Sequence, residues 1–467
     1  MASDCFETFQ LESRCLIKSS KRIFAKEYVE DGIPFLRSKD VIDKSLGIFS
    51  NYDLFISRER YKELKKSYGS PVKGDLLISS VGNRSGLPYV VQDEGDFYFK
   101  DGNIIWISDF KNLDSNFLAY WFKSDIGQSR LASVMIGSAQ KALTINSIRT
   151  LTVSFPNFKA QQEIAHILGS IDSKIELNRQ MNETLENMAQ ALFKSWFVDF
   201  DPVIDNALEV GNSIPDELSD RAEQRKTIKQ NESKDKQAIN SIFPDEFEFS
   251  EEVGWIPKGW EVTSLGKHVH LQTGPAFKSA DFSDIGIKLA RGDNVKEGSF
   301  QWGDKTRYWS EVDKTLTKYL LNTGDMLIGM DGSKVGKNRT RVRESDLPCL
   351  LVQRVARLTK KNTICSNFIF LLISSQYFRD YVDIVKTGSA IPHISGGQIK
   401  ELKLILPKNE KDPVFNKFEE LASSLINRTD ACVDNSLQLS KLRDVLLPKL
   451  LSGEIRIPEA AALVENT

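Results

Sequence analysis

Cysteine and histidine are scarce in this chain, and their spacing argues against the common metal sites. Its 467 residues include five cysteines, none of them in a Cys-x-x-Cys pair, and four histidines. Zinc sites need clustered Cys or His ligands at short spacings. Only His268 and His270 lie close together, and a separation of two is the spacing of one strand face. We therefore expect reduced, mostly buried thiols and no metal bound by this chain.

Long apolar runs are missing as well. No segment approaches the roughly 20 consecutive apolar residues that cross a bilayer, and the N-terminus MASDCFETFQ lacks the basic-then-apolar layout of a signal peptide. With 40% hydrophobic and 27% charged residues, the composition is that of a soluble globular protein. The length suits two or three domains, and we expect a cytoplasmic location.

Catalytic motifs are also absent. Residues 332–338 (GSKVGKN) resemble a phosphate-binding loop, but the loop is one residue short and Asn338 stands where a metal-binding Ser or Thr is needed. The chain has no Gly-rich dinucleotide fingerprint, no Gly-x-Ser-x-Gly elbow and no Asn-Pro-Pro-aromatic tetrad. These absences argue against an enzyme acting alone, such as a fused methyltransferase or a nuclease. A coiled-coil adaptor that binds only proteins is a further alternative.

The net charge of −2 conceals an uneven distribution. Residues 201–252 contain 14 acidic and 6 basic residues, which leaves 56 basic and 50 acidic residues in the rest of the chain. The rest is therefore mildly basic. Such a balance fits a protein that places local cations against a phosphate backbone and stays selective elsewhere.

The chain contains one sequence unit written twice. Two copies are too few for a solenoid, and several matches that drift so little over their length are not expected by chance. We therefore predict two domains related by an approximate two-fold. The matching phrases, about 250 residues apart, are GI at 32 and 286, GD at 74 and 324, SNF at 115 and 366, GS at 137 and 388, and a proline at 156 and 407.

Each copy ends in a predicted long helix with an apolar stripe that steps by three and four residues. Such steps form the seam of a two-helix coiled coil, and Asn178 and Asn182 would fix its register if they pair correctly. An ordinary amphipathic helix lying on its own domain is the alternative. The predicted seams are Leu168, Ile171, Ile175, Asn178, Asn182, Leu185, Ala189 and Leu192, and Phe418, Leu421, Leu425, Arg428, Cys432, Asn435, Leu439, Leu442 and Leu446.

These patterns predict an α+β protein in which two repeated, strand-rich α/β domains are separated by two long coiled-coil helices. Each domain also contains an amphipathic helix, predicted at residues 115–133 and 367–385. The predicted boundaries are residues 1–157 for the first domain, 158–200 for the first long helix, 201–253 for an acidic linker, 254–409 for the second domain, 410–456 for the second long helix and 457–467 for a tail.

Candidate nucleic-acid contacts lie on corresponding loops of the two copies. The loop at residues 332–343 is basic and contains glycine, which suits close approach to phosphates. The side-chain amide of Asn338 in this loop can form hydrogen bonds with base edges. Its counterpart is residues 82–86, and the other pairs are residues 37–40 with 291–294 and 137–146 with 388–397. A solvated turn is the alternative for any single loop. The predicted contacts are Arg37, Ser38, Lys39, Asn83, Arg84, Ser85, Gln140 and Lys141 in the first copy, and Arg291, Asn294, Lys334, Lys337, Asn338, Arg339, Arg341 and His393 in the second.

Two small domains held apart by stiff helices suit a DNA site in two pieces. Half-sites on one face of a duplex lie about 34–36 Å apart, and a helix of about 37 residues is roughly 55 Å long. Because the two domains differ in sequence, we expect the two half-sites to differ.

Three phrases resemble the specificity subunit of type I restriction-modification enzymes. They are LENMAQALFKSWFVDFDPV at 185–203, GWIPKGWEV at 254–262 and LRDVLLPKLLSGEIR at 442–456. The resemblance covers almost the whole chain and implies a non-catalytic DNA-reading subunit with two target recognition domains and antiparallel long helices. It implies two modification subunits, which bind S-adenosylmethionine and methylate adenine, and restriction subunits that use ATP and Mg. No cofactor is expected in this chain itself.

The same resemblance places the modification subunits on the helical regions. Packing within the chain is the alternative for each of the residues concerned. The predicted partner contacts are Phe193, Trp196, Phe197 and Phe200 after the first helix, and Leu446, Leu447, Leu450 and Leu451 after the second.

Overall fold

The strands and the long helices divide between two units. The first unit comprises residues 1–177 and 435–467, and the second comprises residues 178–434. Among the residues that the structure describes, no helix is both long enough and hydrophobic enough to cross a bilayer. This computed structural model describes residues 6–48, 51–82, 84–137, 142–229, 239–303, 305–361, 364–388, 390–409 and 411–465.

The first unit is built on two four-stranded sheets. Its strands are β1 Glu7–Gln10, β2 Leu16–Lys18, β3 Tyr28–Val29, β4 Ile33–Leu36, β5 Phe55–Ile56, β6 Leu76–Ser79, β7 Pro88–Val90, β8 Tyr98–Phe99, β9 Ile104–Ser108 and β10 Thr152–Phe155. Its helices are α1 Ser38–Ser45, α2 Arg58–Tyr68, α3 Ser115–Lys123, α4 Asp125–Val134, α5 Ile145–Arg149 and the first part of α6 Phe158–Phe197. The sheet orders are β2-β9-β6-β7 and β3-β5-β4-β8, and β1 pairs with β10.

The second unit repeats this plan. Its strands are β11 Phe247–Ser250, β12 Gly254–Pro257, β13 Trp260–Ser264, β14 Val269–Thr273, β15 Ile287–Ala290, β16 Tyr308–Trp309, β17 Met326–Gly329, β18 Arg339–Arg341, β19 Cys349–Leu351, β20 Val355–Lys360 and β21 Lys403–Pro407. The helices that follow α6 are α7 Asp201–Val210, α8 Ser219–Lys229, α9 Leu265–His268, α10 Ser366–Ser374, α11 Gln376–Val385, α12 Gly396–Glu401, α13 Pro413–Ser452 and α14 Ile457–Glu465. The last turns of α13 and all of α14 belong to the first unit.

Strand order confirms that the chain is a repeat. The sheet β14-β20-β17-β18 has the same plan as β2-β9-β6-β7, and β13 pairs with β21 as β1 pairs with β10. The parallel pair β4 and β8 has its counterpart in β15 and β19. Helix α3 begins at Ser115 and α10 begins at Ser366, 251 residues later. The fold class is therefore the predicted α+β duplication.

The helix predicted at residues 115–133 is broken in two, which corrects the prediction. The hydroxyl of Ser124 accepts a hydrogen bond from the backbone N–H of Gly127 and so starts a new helix. Gly127 is needed there because an added Cβ would lie 1.9 Å from the carbonyl oxygen of Trp121. The second unit breaks its helix in the same way, since Ser375 caps α11 through the N–H of Phe378.

The two long helices are antiparallel, as the resemblance implied. Within the second unit, Met181 of α6 contacts Cys432 of α13 at 3.7 Å between sulfur atoms, and Phe193 lies near Phe418 with ring centroids 6.4 Å apart. Residue numbers therefore rise on one helix as they fall on the other. Within the first unit, Arg443 of α13 donates a hydrogen bond of 2.8 Å to Asp172 of α6.

The seam on α13 differs from the predicted one. In the second unit the buried stripe runs through Phe418, Ala422, Ile426, Thr429 and Cys432. The predicted residues Leu421 and Leu425 are only half-buried and Arg428 is exposed. Two apolar stripes lie side by side on this helix. The buried one contains Phe418, which packs against aromatic rings, and continues through the small Ala422.

The pairing role expected of the seam asparagines is not observed for Asn182. Its side-chain oxygen is buried and has no hydrogen-bond partner in the part of the chain that the structure describes. Apolar residues of α6 are buried at both ends of the helix: Leu168 and Ile171 in the first unit, and Ala189 and Phe193 in the second.

Part of the predicted acidic linker is helical and well packed. Arg221 of α8 forms an ion pair with Asp201 of α7 at 2.7 Å, and Arg225 pairs in the same way with the buried Asp205. Val203 of α7 reaches the core of the second unit. The acidic side chains of this segment are thus partly neutralised within it.

The four cysteines that the structure describes form no disulfides with one another. Cys15, Cys349 and Cys432 are buried and Cys365 is half-buried, whereas Cys5 lies outside the described residues. Burial raises the pKa of Cys15 and of Cys349 to about 12. These thiols therefore stay protonated and unreactive near neutral pH.

Candidate nucleic-acid interface

The basic loop at residues 332–343 presents two lysines to solvent. Its first part connects β17 with β18, and Lys334 and Lys337 in that part are both exposed. Gly332 and Gly336 have φ angles of 94° and 81°, which a residue with a side chain rarely adopts. The turn therefore presents two ammonium groups on the outside of the second unit, where a phosphate could reach them.

The arginines of the same loop point inward. Arg339 donates to Glu297 at 3.1 Å, and Arg341 and Arg343 both pair with Asp430 of α13. Because alternate residues of a strand share one face, these three arginines lie together while Thr340 and Val342 are buried on the other side. The period-two spacing of the arginines was the sequence signal that could have indicated this.

A cavity of about 240 Å³ lies between these arginines and the two long helices in the second unit. Burial lowers the pKa of Arg339, and the ion pair with Glu297 opposes that effect. Arg379 also lies 3.8 Å from Glu297. Asp430 ties the strand-rich body to α13 through Arg341 and Arg343. The ion pairs give Arg339 and Arg341 a structural role in place of the predicted exposure to DNA.

The corresponding loop of the first unit is smaller. Arg84 is exposed and Ser85 is half-buried. Asn83, Gln140 and Lys141 lie outside the described residues. In the second unit, Asn338 is half-buried and His393 closes its loop through two backbone hydrogen bonds with Thr387. The side chain of His393 remains half-exposed.

The loop at residues 37–40 is held by ion pairs. Arg37 donates to both carboxylate oxygens of Asp53, at 2.6 and 2.9 Å. Ser38 donates to the carbonyl of Asn103 at 2.9 Å, which leaves Lys39 as the exposed cation of the loop.

Its counterpart at residues 291–294 differs in detail. Arg291 lies 3.5 Å from Asp293 and over the ring of Phe282, at 5.7 Å from its centroid. Asn294 is completely buried and donates to the carbonyl of Gln301 at 3.1 Å. The predicted DNA contact at Asn294 is therefore wrong, because its amide is used inside the domain.

A surface cleft of about 800 Å³ opens beside Arg291 in the second unit. It is polar and contains charges of both signs. Its lining residues are Ser279, Phe282, Ser283, Asp284, Arg291, Asp293, Lys305, Thr306, Arg307 and Tyr308.

The predicted partner contacts lie in the two hydrophobic cores. The four aromatic residues are 2–6% exposed and pack on rings of the second unit, with Trp196 4.8 Å from Phe243 and Phe197 5.0 Å from Phe418 between centroids. Phe193 and Phe200 are buried beside them, and Leu446, Leu447, Leu450 and Leu451 are buried in the core of the first unit. The structure thus shows the intramolecular packing that was the alternative for each residue.

The described residues do not include a cluster of metal ligands. No group of three or more His, Cys, Asp or Glu side chains there could hold a metal ion. The chemistry that the structure offers is hydrogen bonding and charge on loop surfaces.

Two copies of one α+β domain, each followed by a 40-residue helix, define a duplicated, helix-linked protein with cationic loops. The chain belongs to the family of type I restriction modification DNA specificity domains, whose model matches residues 4–187 and 257–418. This membership confirms the predicted resemblance, and with it the prediction of a specificity subunit that is not itself catalytic.

Known relatives agree with the family. The chain is 25% identical over 426 residues to the type I restriction enzyme HindI specificity subunit of Haemophilus influenzae, covering 82% of this chain and 87% of that protein. It is 25% identical over 443 residues to the MjaIX specificity subunit of Methanocaldococcus jannaschii, covering 93% and 89%. The crystal structure of a type I S subunit from M. genitalium matches the fold over 97% of both chains, with a TM-score of 0.54 at 14% identity.

Proposed function

We propose that each unit reads one half of an asymmetric, bipartite DNA site and that the paired long helices set the distance between the halves. The observation that carries the proposal is the repeated fold with different side chains at equivalent loop positions. Arg37 is bound to Asp53 in the first unit, whereas Arg291 lies beside a cleft in the second. Two units with the same fold and different surface residues suit two half-sites that differ in sequence.

The length of the helices is consistent with that role. Each has 40 residues, or roughly 60 Å at 1.5 Å per residue. Half-sites read from one face of a duplex lie about 34–36 Å apart or at multiples of that distance. A helical pair of this length can span one such step with its ends embedded in the domains.

Two modification subunits complete the proposed complex. They would bind S-adenosylmethionine and methylate adenine, and restriction subunits would bring ATP and Mg for cleavage, so the complex would act on DNA in the cytoplasm. The buried aromatics cannot receive them without unfolding the core. In the first unit, Leu177, Leu437 and Val445 on the long helices are 59%, 45% and 55% exposed, and we assign the docking surface to these residues.

A domain exchange tests the function. Residues 254–407 would be replaced by the equivalent segment of a relative with a different target, and the methylome of cells expressing the chain with its modification subunits would be sequenced. We expect one half of the methylated site to change while the other half and the spacer stay the same. Alteration of both halves would contradict the modular assignment.

The alternatives give different results. A protein-only adaptor predicts that the complex shows no sequence-dependent DNA binding at moderate salt. An enzyme acting alone predicts that the purified chain methylates DNA without the modification subunits.

A further inference from the structure

We propose that the cleft beside Arg291 is the base-reading site of the second unit, and that the half-site it reads contains a G·C pair. This inference rests on the proposed function and adds to it the place and the chemistry of recognition. Among the residues that line the cleft, only Arg291 belongs to the contacts predicted from the sequence.

Two neighbouring strands build the cleft. Strands β15 and β16 are antiparallel, with Lys288 opposite Tyr308 and the N–H of Leu289 donating to the carbonyl of Arg307 at 2.9 Å. Arg291 follows the end of β15, and Lys305 and Arg307 precede β16. The strand pairing therefore brings three cations to one end of the sheet.

The mixture of charges distinguishes base reading from backbone binding. Asp284 and Asp293 line the same cleft as the cations, and both are exposed. A groove that only held phosphates would be weakened by carboxylates, because both are anionic. Base edges in the major groove carry donors and acceptors: arginine matches guanine O6 and N7, and a carboxylate accepts from the amino group of cytosine.

Apolar groups in and beside the cleft support the same reading. Phe282 lies under the guanidinium of Arg291, which limits the orientations available to that group. Ile285, next to Asp284 in the chain, is 79% exposed. An exposed aliphatic side chain beside hydrogen-bonding groups fits contact with the methyl group of thymine.

In the first unit, the same strand arrangement places a carboxylate beside the arginine that corresponds to Arg291. The N–H of Phe35 donates to the carbonyl of Leu54 just as that of Leu289 donates to Arg307, so Leu54 corresponds to Arg307 and Asp53 to Thr306. Asp53 holds Arg37 by two hydrogen bonds. Thr306 has no charge to offer Arg291, and its hydroxyl accepts from the N–H of Gly303 at 2.8 Å.

The first unit has Asp53 at the position where the second unit has Thr306. The two corresponding arginines therefore have different surroundings. Arg37 is committed to a carboxylate of its own unit, whereas Arg291 has Asp293 only at 3.5 Å and can turn toward a base. We assign Arg37 to the structure of the first unit and Arg291 to recognition in the second.

The experiment uses the full chain assembled with its modification subunits. Arg291→Ala, Arg307→Ala and Asp293→Asn would be compared with wild type by methylome sequencing and by DNA titration at several salt concentrations. We expect the preference for one base pair of the second half-site to fall about ten-fold or more, while the first half-site is unchanged. Asp293→Asn keeps the shape of the side chain and serves if an arginine variant fails to fold.

Two matched controls accompany these variants. Lys258→Ala removes an exposed cation of the second unit outside the cleft, and Arg37→Ala removes the equivalent arginine of the first unit. Lys258→Ala should leave the preference at every base pair unchanged, and Arg37→Ala should leave the preferences of the second half-site unchanged.

Each other outcome overturns the inference. A uniform loss of affinity with all base preferences intact would make the cleft a backbone site, and unchanged methylation would remove it from the interface. A wild-type complex without sequence-dependent methylation would instead refute the proposed function itself.

Discussion

The indole Nε1 of Trp106 donates a hydrogen bond of 2.8 Å to Asp75 in the core of the first unit. The same two positions of the second unit hold Arg357 and Asp325, which form an ion pair at 2.9 Å. Trp106 faces Leu77 across β9 and β6, and Arg357 faces Leu327 across β20 and β17. One framework thus accepts a neutral donor in one copy and a cation in the other.

Asp75→Asn should change how stability depends on pH. Burial raises the pKa of Asp75, although the N–H groups of Val72 and Trp106 partly oppose this. Because the folded state then binds the proton more tightly than the unfolded chain, the contribution of Asp75 to stability increases as pH falls through its folded pKa. Asparagine does not titrate, so the free energy of unfolding of wild type, measured in urea titrations, should rise relative to the variant as the pH falls from 7 through the folded pKa of Asp75.

Asp325→Asn is the matched comparison. Burial also raises the pKa of Asp325, but here the amide would leave the guanidinium of Arg357 buried without its counterion. We expect a loss of about 2–4 kcal/mol at pH 7, against less than about 1 kcal/mol for Asp75→Asn, whose amide oxygen can still accept both hydrogen bonds. Equal losses would contradict this account of the two sites.

Asp430→Asn should loosen the strand-rich body from the second long helix. Arg341 and Arg343 share this carboxylate and are both mostly buried. Removing the shared charge should lower the free energy of unfolding by about 2 kcal/mol, measured by thermal or urea unfolding of the full chain. Asp434→Asn, one turn further along the helix and exposed, is the control and should have little effect.

Lys334→Ala with Lys337→Ala should weaken DNA binding by the complex and leave its stability unchanged. Both ammonium groups are exposed on the β17–β18 turn. Each lost phosphate contact should reduce the slope of log affinity against log salt by about 0.9. Arg339→Ala is the contrasting variant, since its ion pair with Glu297 is internal. It should lower the unfolding temperature, and an unchanged salt slope in the double lysine variant would exclude the turn from the interface.

Phe193→Ala should destabilise the chain itself. The ring is 2% exposed and lies 5.3 Å from that of Phe368 between centroids. Truncation of a buried phenylalanine costs about 3–5 kcal/mol, which unfolding of the isolated chain would detect. Leu437→Glu, on an exposed position of α13, should leave that unfolding unchanged and reduce co-purification of the modification subunits. If Phe193→Ala reduced co-purification of the modification subunits and left unfolding unchanged, the docking surface would instead include the buried aromatic residues.

Much of the organisation was evident in local patterns. The repeat follows from phrases such as SNF at 115 and 366, and the long helices follow from the apolar periodicity after each domain. Such features depend on residues close together in the chain, so spacing alone can indicate them. The break at Ser124 was missed because a capping hydroxyl inside an apolar helix looks like an ordinary polar position.

The sequence by itself determined the duplication, the presence of two long helices and the family. Only the tertiary structure decided which cations are available to DNA and which aromatics are available to a partner. Arg341 and Lys337 look alike in the sequence, but Asp430 arrives from a helix 89 residues further along and neutralises only the arginine. Whether a charge faces solvent or an internal counterion depends on elements that folding brings together, and local spacing carries no record of them.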